Sequence, residues 1–177
     1  IWFLENVFYQ TIGNIIKEFK SSLQFLDPSN NPVIRMGFWP GGDRDGNPFV
    51  LAPTTYKVAN SLNIAILKCY YRDVRRLKRR LTFKGVDLII TSLESALYEQ
   101  AFLRTVHSIK YPTDIISPLI KIKNILSTEH NGLFLNEVDD LIDKIQCFGL
   151  YFAFIDVRQE NEVHTHLTEA VLCLHNV

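Results

Sequence analysis

Gly149 followed by Leu150-Tyr151-Phe152-Ala153-Phe154-Ile155-Asp156-Val157 constrains this chain more than any other stretch. A strand with one wet face alternates apolar and polar residues; this run hardly does, which predicts a strand buried on both faces, as in a parallel sheet or barrel. A second apolar segment, Val33 to Trp39, predicts a shorter buried strand. Each is followed at once by a dense polar cluster: Pro40 to Pro48 after the first, Arg158-Gln159-Glu160 after the second. Where parallel strands meet helices, chemistry gathers at the C-terminal ends of the strands, and both clusters lie there.

The remainder reads as helix. Val7 to Phe25 carries Phe8, Ile12, Ile15, Ile16, Phe19 and Leu23 at helical spacing and ends in the breaker run Asp27-Pro28-Ser29-Asn30-Asn31-Pro32. A second helix opens at Pro53 with Thr54 as N-cap and runs to about Leu81, burying Val58, Leu62, Ile66, Tyr70, Val74, Leu77 and Leu81. Gly85 and Asp87 interrupt it. A third helix is expected over Thr91–Ser108 and a fourth over Pro112–Ser127, kinked at Pro118. A fifth is capped by Asn136 and stopped by Gly149, and a last one spans Glu162–Leu174. The organisation is one unit: strand and loop, a helical excursion over 53–148, strand and polar cluster, final helix. The fold class is mostly α with a few short parallel β-strands.

Composition excludes several function classes. The 177 residues are 47% hydrophobic and 21% charged, enough apolar material for a core and too much for a disordered chain. Zero formal net charge gives no electrostatic reason to bind nucleic acid or an anionic membrane, and no segment is long and apolar enough to span a bilayer. Cys69, Cys147 and Cys173 are odd in number and widely spaced, which reads as reduced thiols in a cytosolic protein. The opening Ile1-Trp2-Phe3-Leu4-Glu5 has neither initiator Met nor signal features, so the chain is expected to be trimmed.

The first cluster, Gly41-Gly42-Asp43-Arg44-Asp45-Gly46-Asn47-Pro48, packs three glycines, two acids, an Arg and an Asn into eight residues. Glycines allow close backbone approach, and two carboxylates flanking a guanidinium can fix its direction. A P-loop is excluded because Gly46 precedes Asn47-Pro48; a calcium loop is excluded because its sixth and twelfth positions, counted from Asp43, are Pro48 and Thr54. In the second cluster, Arg158 ends a buried strand, where it needs an anion: either a ligand phosphate or carboxylate, or Asp156 or Glu160 in an internal ion pair. The basic run Arg72, Arg75, Arg76, Lys78, Arg79, Arg80 lies mostly off its helix's apolar stripe and reads as a solvated or subunit-facing surface. His164, His166, Cys173 and His175 do not match zinc-ligand spacing.

Together, Phe38-Trp39-Pro40-Gly41-Gly42-Asp43-Arg44-Asp45-Gly46-Asn47-Pro48 resembles the F-x-S-W-x-G-G-D-R-D-G-N-P segment of phosphoenolpyruvate carboxylases. Ile155-Asp156-Val157-Arg158-Gln159-Glu160, with His164 beyond, resembles that family's L-D-[IV]-R-Q-E-S-x-x-H segment, in the same order and with a similar helical spacer. The chain departs from the pattern at Asn161 (serine), at Val163 (arginine), and where Gly37-Phe38 runs directly into Trp39 without the serine. The resemblance implies an internal piece of a large helical elaboration of a TIM-type (β/α) barrel. It implies a cytoplasmic homotetramer adding bicarbonate to phosphoenolpyruvate, with Mg²⁺ or Mn²⁺, to give oxaloacetate and phosphate. Arg158 matches the arginine that holds the substrate phosphoryl group; Asp43, Arg44, Asp45, Asn47, Gln159, Glu160 and His164 are assigned positioning roles. The family's T-A-H-P-T-E and G-R-G-G-x-x-G-R motifs do not occur in this sequence, nor do its catalytic lysine and metal-binding acids, which implies a piece that holds no metal and does not turn over alone. The alternative is an independent helical interaction domain.

Overall fold

A computed structural model describes residues 1–22, 34–45, 47–104 and 108–174. The expected breaker run 27–32, the helix end at 23–25, the strand's first residue Val33, loop residue Gly46, and positions 105–107 of the third expected helix lie outside them.

A π-helical turn, Leu4–Phe8, leads into α1 (Tyr9–Ser22). Next come β1 (Gly37–Phe38), α2 (Ala52–Lys78), α3 (Asp87–Tyr98) with a π-helical extension over Glu99–Leu103, α4 (Thr113–Glu129), α5 (Leu135–Phe148), β2 (Phe154–Ile155) and α6 (Asn161–Leu174). Among the described residues no helix is long and apolar enough to cross a membrane.

Helix α2 is the axis of the core. Leu62, Ile66, Tyr70, Val74 and Leu77 recur every three or four residues and are buried as expected, joined by Ala65, Leu67, Cys69 and Asp73. Around it pack α3, α5 and the start of the chain. Helix α5 contributes Val138, Leu141, Ile142, Ile145 and Phe148, and α4 contributes Ile115, Leu119, Ile122 and Leu126.

The first helix buries a different stripe from the expected one. Leu4, Tyr9 and Ile12 are inside, whereas Phe8, Ile15 and Phe19 are exposed. The π-helical turn carries an extra residue per turn and rotates the face by one position, so Tyr9 replaces Phe8. Its hydroxyl then donates to Oδ2 of the buried Asp73 at 2.9 Å, and Lys144 Nζ donates to the same oxygen at 2.9 Å while lying 4.7 Å from the Tyr9 ring centroid. A buried carboxylate left without such donors would be costly, and this requirement overrides a purely apolar stripe.

Helix ends differ as well. Neither Thr54 nor Asn136 is an N-cap: the caps are Leu51, ahead of Pro53 in the first turn, and Phe134 in the left-handed region at φ 63°, both without a side-chain capping bond. Helix α3 starts at Asp87 rather than Thr91, and its π-helical extension stops at Arg104, with φ 56°. Gly85, at φ +86°, makes the preceding turn. Helix α4 is continuous through Pro118. Gly149 ends α5 as expected, at φ 61°. Its carbonyl accepts from Tyr70 Oη at 2.7 Å, and the Leu150 carbonyl accepts from Asn63 Nδ2 at 2.7 Å, so α2 aims the chain into β2.

The strands are parallel, with Gly37 opposite Phe154 and Phe38 opposite Ile155. They are far shorter than expected and are not buried on both faces. Phe152 and Ala153 are buried, but Tyr151, Phe154 and Val157 are exposed, as is Trp39. A two-stranded ladder has one layer of helix behind it and no third strand among the described residues, so alternate side chains face outward. Helix α6 likewise has no buried residue.

The basic run is a mostly solvated face, as expected: Arg72, Arg75, Arg76, Arg79 and Arg80 are exposed, although Lys78 pairs with Glu94, Arg80 with Glu137, and Arg72 Nη2 donates to the Glu5 carbonyl at 3.0 Å.

Candidate functional site

The site is built where the parallel pair continues past its last strand residues. Beyond Phe38 and Ile155 the turn at Trp39–Gly42 shifts the pairing by two residues, and the segments meet again where Asp43 and Arg158 form a parallel bridge. The Arg158 N–H donates to the Gly42 carbonyl at 3.0 Å, and the Arg44 N–H donates to the Arg158 carbonyl at 2.9 Å. This approach needs a glycine: a Cβ on Gly42 would stand 2.1 Å from the Asp156 carbonyl oxygen. Gly41 takes φ +83°, and a Cβ there would reach Val58 Cγ2 on α2 at 2.6 Å. The two adjacent glycines therefore let the turn sit between β2 and the first turns of α2.

That backbone frame sorts the side chains into two groups. In the first, Arg158 Nη2 donates to Asp45 Oδ2 at 3.0 Å, and the guanidinium carbon lies 5.6 Å from the Trp39 ring centroid. The partner is neither Asp156 nor Glu160, the two local choices. The Arg158 and Asp45 side chains keep 54% and 45% exposure, so most guanidinium donors stay available.

In the second group, Arg44, Asn47, Gln159 and Glu160 line a cleft of about 400 Å³, together with Val50 and Leu51. Successive residues of an extended chain point to opposite sides, which separates Gln159 from Arg158. The Arg44 guanidinium is aimed by Thr55 rather than by the flanking carboxylates: Nη2 donates to Thr55 Oγ1 at 2.9 Å. Asn47 Oδ1 accepts from the Phe49 N–H at 3.1 Å and closes the loop. Asp43 Oδ1 and Arg44 Nε are buried without a hydrogen-bond partner among the described residues. His164 stands apart, exposed on α6.

Comparison with known proteins now bears on the assignment. The family profile described as Phosphoenolpyruvate carboxylase matches residues 1–104 and 89–176. This chain belongs to the phosphoenolpyruvate carboxylase family. Among its relatives, the phosphoenolpyruvate carboxylase of Psychromonas ingrahamii is 28% identical over 91% of this chain and 22% of its own length. That of Shewanella halifaxensis is 26% identical over 91% of this chain and 22% of its own length, and that of Trichormus variabilis 24% identical over 96% and 21%. The chain thus spans about a fifth of the phosphoenolpyruvate carboxylases it matches.

Sequence reasoning passed over three contributors to this carboxylase-family site. Trp39 sits inside the recognised motif and was available as a cation–π partner. Gly42 is one of three glycines, and only the strand register singles it out. Thr55 stands beside Thr54 at a helix start, where a capping reading draws attention to the wrong neighbour.

The described residues gather no group of three or more His, Cys, Asp or Glu able to hold a metal ion. The nearest acids are engaged or apart: Asp45 with Arg158, Glu160 across the cleft from Arg44. They do not make a divalent-cation site.

Proposed function

We propose that this chain supplies part of the active site of a phosphoenolpyruvate carboxylase, a lyase that adds bicarbonate to phosphoenolpyruvate to give oxaloacetate and phosphate. Family membership supports the reaction class. The observation that carries the site assignment is the Arg158 guanidinium, held by Asp45 and Trp39 at the C-terminal end of β2 with most of its donors free.

Phosphoenolpyruvate brings a phosphate and a carboxylate, and negative charge develops on the enolate oxygen as the phosphoryl group leaves. A fixed guanidinium stabilises such charge because its orientation is settled before the substrate arrives. Arg158 receives the phosphoryl oxygens through its planar fork. Asp45 keeps the fork from swinging into solvent. Asp43, Arg44, Asn47, Gln159 and Glu160 shape the adjacent loop and cleft; His164 joins them only if α6 is repositioned. The divalent metal, the catalytic histidine and lysine, a cytoplasmic homotetrameric assembly and the enclosing TIM-type barrel belong to this proposal as properties of the whole enzyme. On this reading the chain alone does not turn over.

The test is Arg158→Ala, with Arg158→Lys beside it, in the complete enzyme containing this segment. The expected result is a rise of about tenfold or more in KM for phosphoenolpyruvate, from loss of a charge-assisted contact, with unchanged circular dichroism. Unaltered kinetics in both variants would remove Arg158 from the site.

A further inference from the structure

We infer that Thr55, on the first turn of α2, is a positioning residue of this site, holding the Arg44 guanidinium against the mouth of the cleft. The inference rests on the carboxylase reading for its kinetic consequence, but its geometry stands by itself.

A hydroxyl has one proton to give and lone pairs to receive. Thr55 Oγ1 lies 2.7 Å from the Gly41 carbonyl oxygen and 3.5 Å from the Leu51 carbonyl one helical turn back. The proton therefore goes to Gly41, leaving the oxygen lone pairs toward Arg44 Nη2 at 2.9 Å. One side chain thus ties three parts together: the helix that carries it, the backbone of the glycine turn, and the charged group lining the cleft.

The neighbouring contacts leave little freedom for any substitute. Gly41 is pressed against Val58, one turn further along the same helix, and Gly42 against the Asp156 carbonyl. The α2 face formed by Thr55 and Val58 is the surface on which the turn is seated. Neither flanking carboxylate holds Arg44: Asp45 is engaged with Arg158, and Asp43 Oδ1 is buried without a hydrogen-bond partner among the described residues. Without the Thr55 hydroxyl, Arg44 keeps its charge but loses its direction, and the Gly41 carbonyl loses its donor. Arg44 then ceases to oppose Gln159 and Glu160 across the cleft in a single geometry. Serine retains both bonds; valine keeps the shape and removes both.

The experiment has two arms. In the first, the ¹⁵N-labelled chain is studied by NMR, with the Arg44 side-chain signals assigned through Arg44→Lys. Hydrogen exchange and guanidinium rotation at Arg44 are measured in wild type, Thr55→Ser and Thr55→Val. Loss of one hydrogen bond predicts exchange about tenfold faster in Thr55→Val, with Thr55→Ser close to wild type. Unchanged exchange in Thr55→Val would overturn the inference. In the second arm, the same substitutions enter the complete carboxylase. Thr55→Val raises KM for phosphoenolpyruvate or bicarbonate more than it lowers kcat, and Thr55→Ser restores it. A fall in melting temperature with unaltered kinetic constants would reduce Thr55 to a structural residue. If Arg158→Ala leaves substrate use intact, the functional reading fails, while the NMR arm still decides the Thr55–Arg44 coupling.

Discussion

Arg158 Nη2 and Asp45 Oδ2 stand 3.0 Å apart although 113 residues separate them in sequence. The contact is possible because the Arg158 backbone is bonded to Gly42 and Arg44 on either side of Asp43, which brings Asp45 close beyond them. The pair is half-exposed, and pairs of that kind contribute little to stability, typically about 0.5 kcal/mol. Asp45→Asn should therefore leave the urea midpoint of the chain nearly unchanged. In the complete enzyme it should weaken phosphoenolpyruvate use, because the guanidinium is no longer held in one direction. A large stability loss with unchanged kinetics would reverse this division of labour.

Gly42 offers a sharper stability test. A methyl group there must displace the Asp156 carbonyl, a backbone atom that cannot rotate away. Gly42→Ala should cost about 2 kcal/mol or more, as overpacking does in tightly fitted interiors. Chemical denaturation measures it directly. Gly132→Ala serves as the contrast: its φ of +72° makes it strained too, but the nearest contact is the mobile end of Leu135.

Tyr70 links the helical core to the start of β2. Tyr70→Phe removes the donor to the half-buried Gly149 carbonyl and should destabilise the chain by about 1 kcal/mol, the net worth of one hydrogen bond. The loosening should be local, appearing as faster amide exchange over 150–155 rather than along α4.

Asp73 has two donors, Tyr9 and Lys144, in a buried setting. Asp73→Ala leaves the Lys144 ammonium without its carboxylate and should cost about 3–5 kcal/mol, as breaking one side of a buried pair does. Thermal or urea denaturation of the variant tests this. Asp73→Asn should cost less than Asp73→Ala, because its amide oxygen can still accept from both donors although the negative charge is gone.

Alkaline pH should weaken the fold in two stages. Burial pushes the Cys69 thiol up from its ordinary 9.0 to about 11, and burial also raises the Tyr9 and Tyr70 phenols well above their ordinary 10.0. In each case the native state holds its proton more tightly than the unfolded chain. The stabilisation is complete below the unfolded values and is lost as pH climbs through the folded ones. Stability should be level to about pH 9, fall between 9 and 11 as the thiol becomes ionisable in the unfolded chain, and fall further above 10 through the tyrosines. Urea midpoints across pH 8–11 measure this, and Cys69→Ala should shrink the first stage, leaving the part due to Cys147, whose thiol burial also raises, and the second stage intact.

Much of the architecture was legible without coordinates. The stripe of α2 from Leu62 to Leu77 and that of α5 from Val138 to Ile145 emerge from apolar spacing, because a helix of fixed period needs one dry face. Two parallel strands ending in polar clusters were also legible, as were the two motifs that led to the family. Strand burial was not: Tyr151, Phe154 and Val157 are apolar yet exposed, since covering them requires neighbours that an apolar run does not specify. The first helix misled for a related reason. Phe8 and Tyr9 are both aromatic, and only the buried Asp73 on α2 selects the one that carries a hydroxyl.

The amino-acid sequence by itself determined which residues could do chemistry here and which helical faces had to be dry, because both depend on side-chain type and on spacing within a few positions. Tertiary structure alone decided that Arg158 meets Asp45 instead of Asp156 or Glu160, and that Arg44 is aimed by Thr55 instead of by its neighbouring acids. Those choices lie among partners of equal chemistry, and only the Asp43–Arg158 bridge beyond the strands, with Gly41 seated on Val58 and Gly42 on the Asp156 carbonyl, brings one of them within hydrogen-bonding distance.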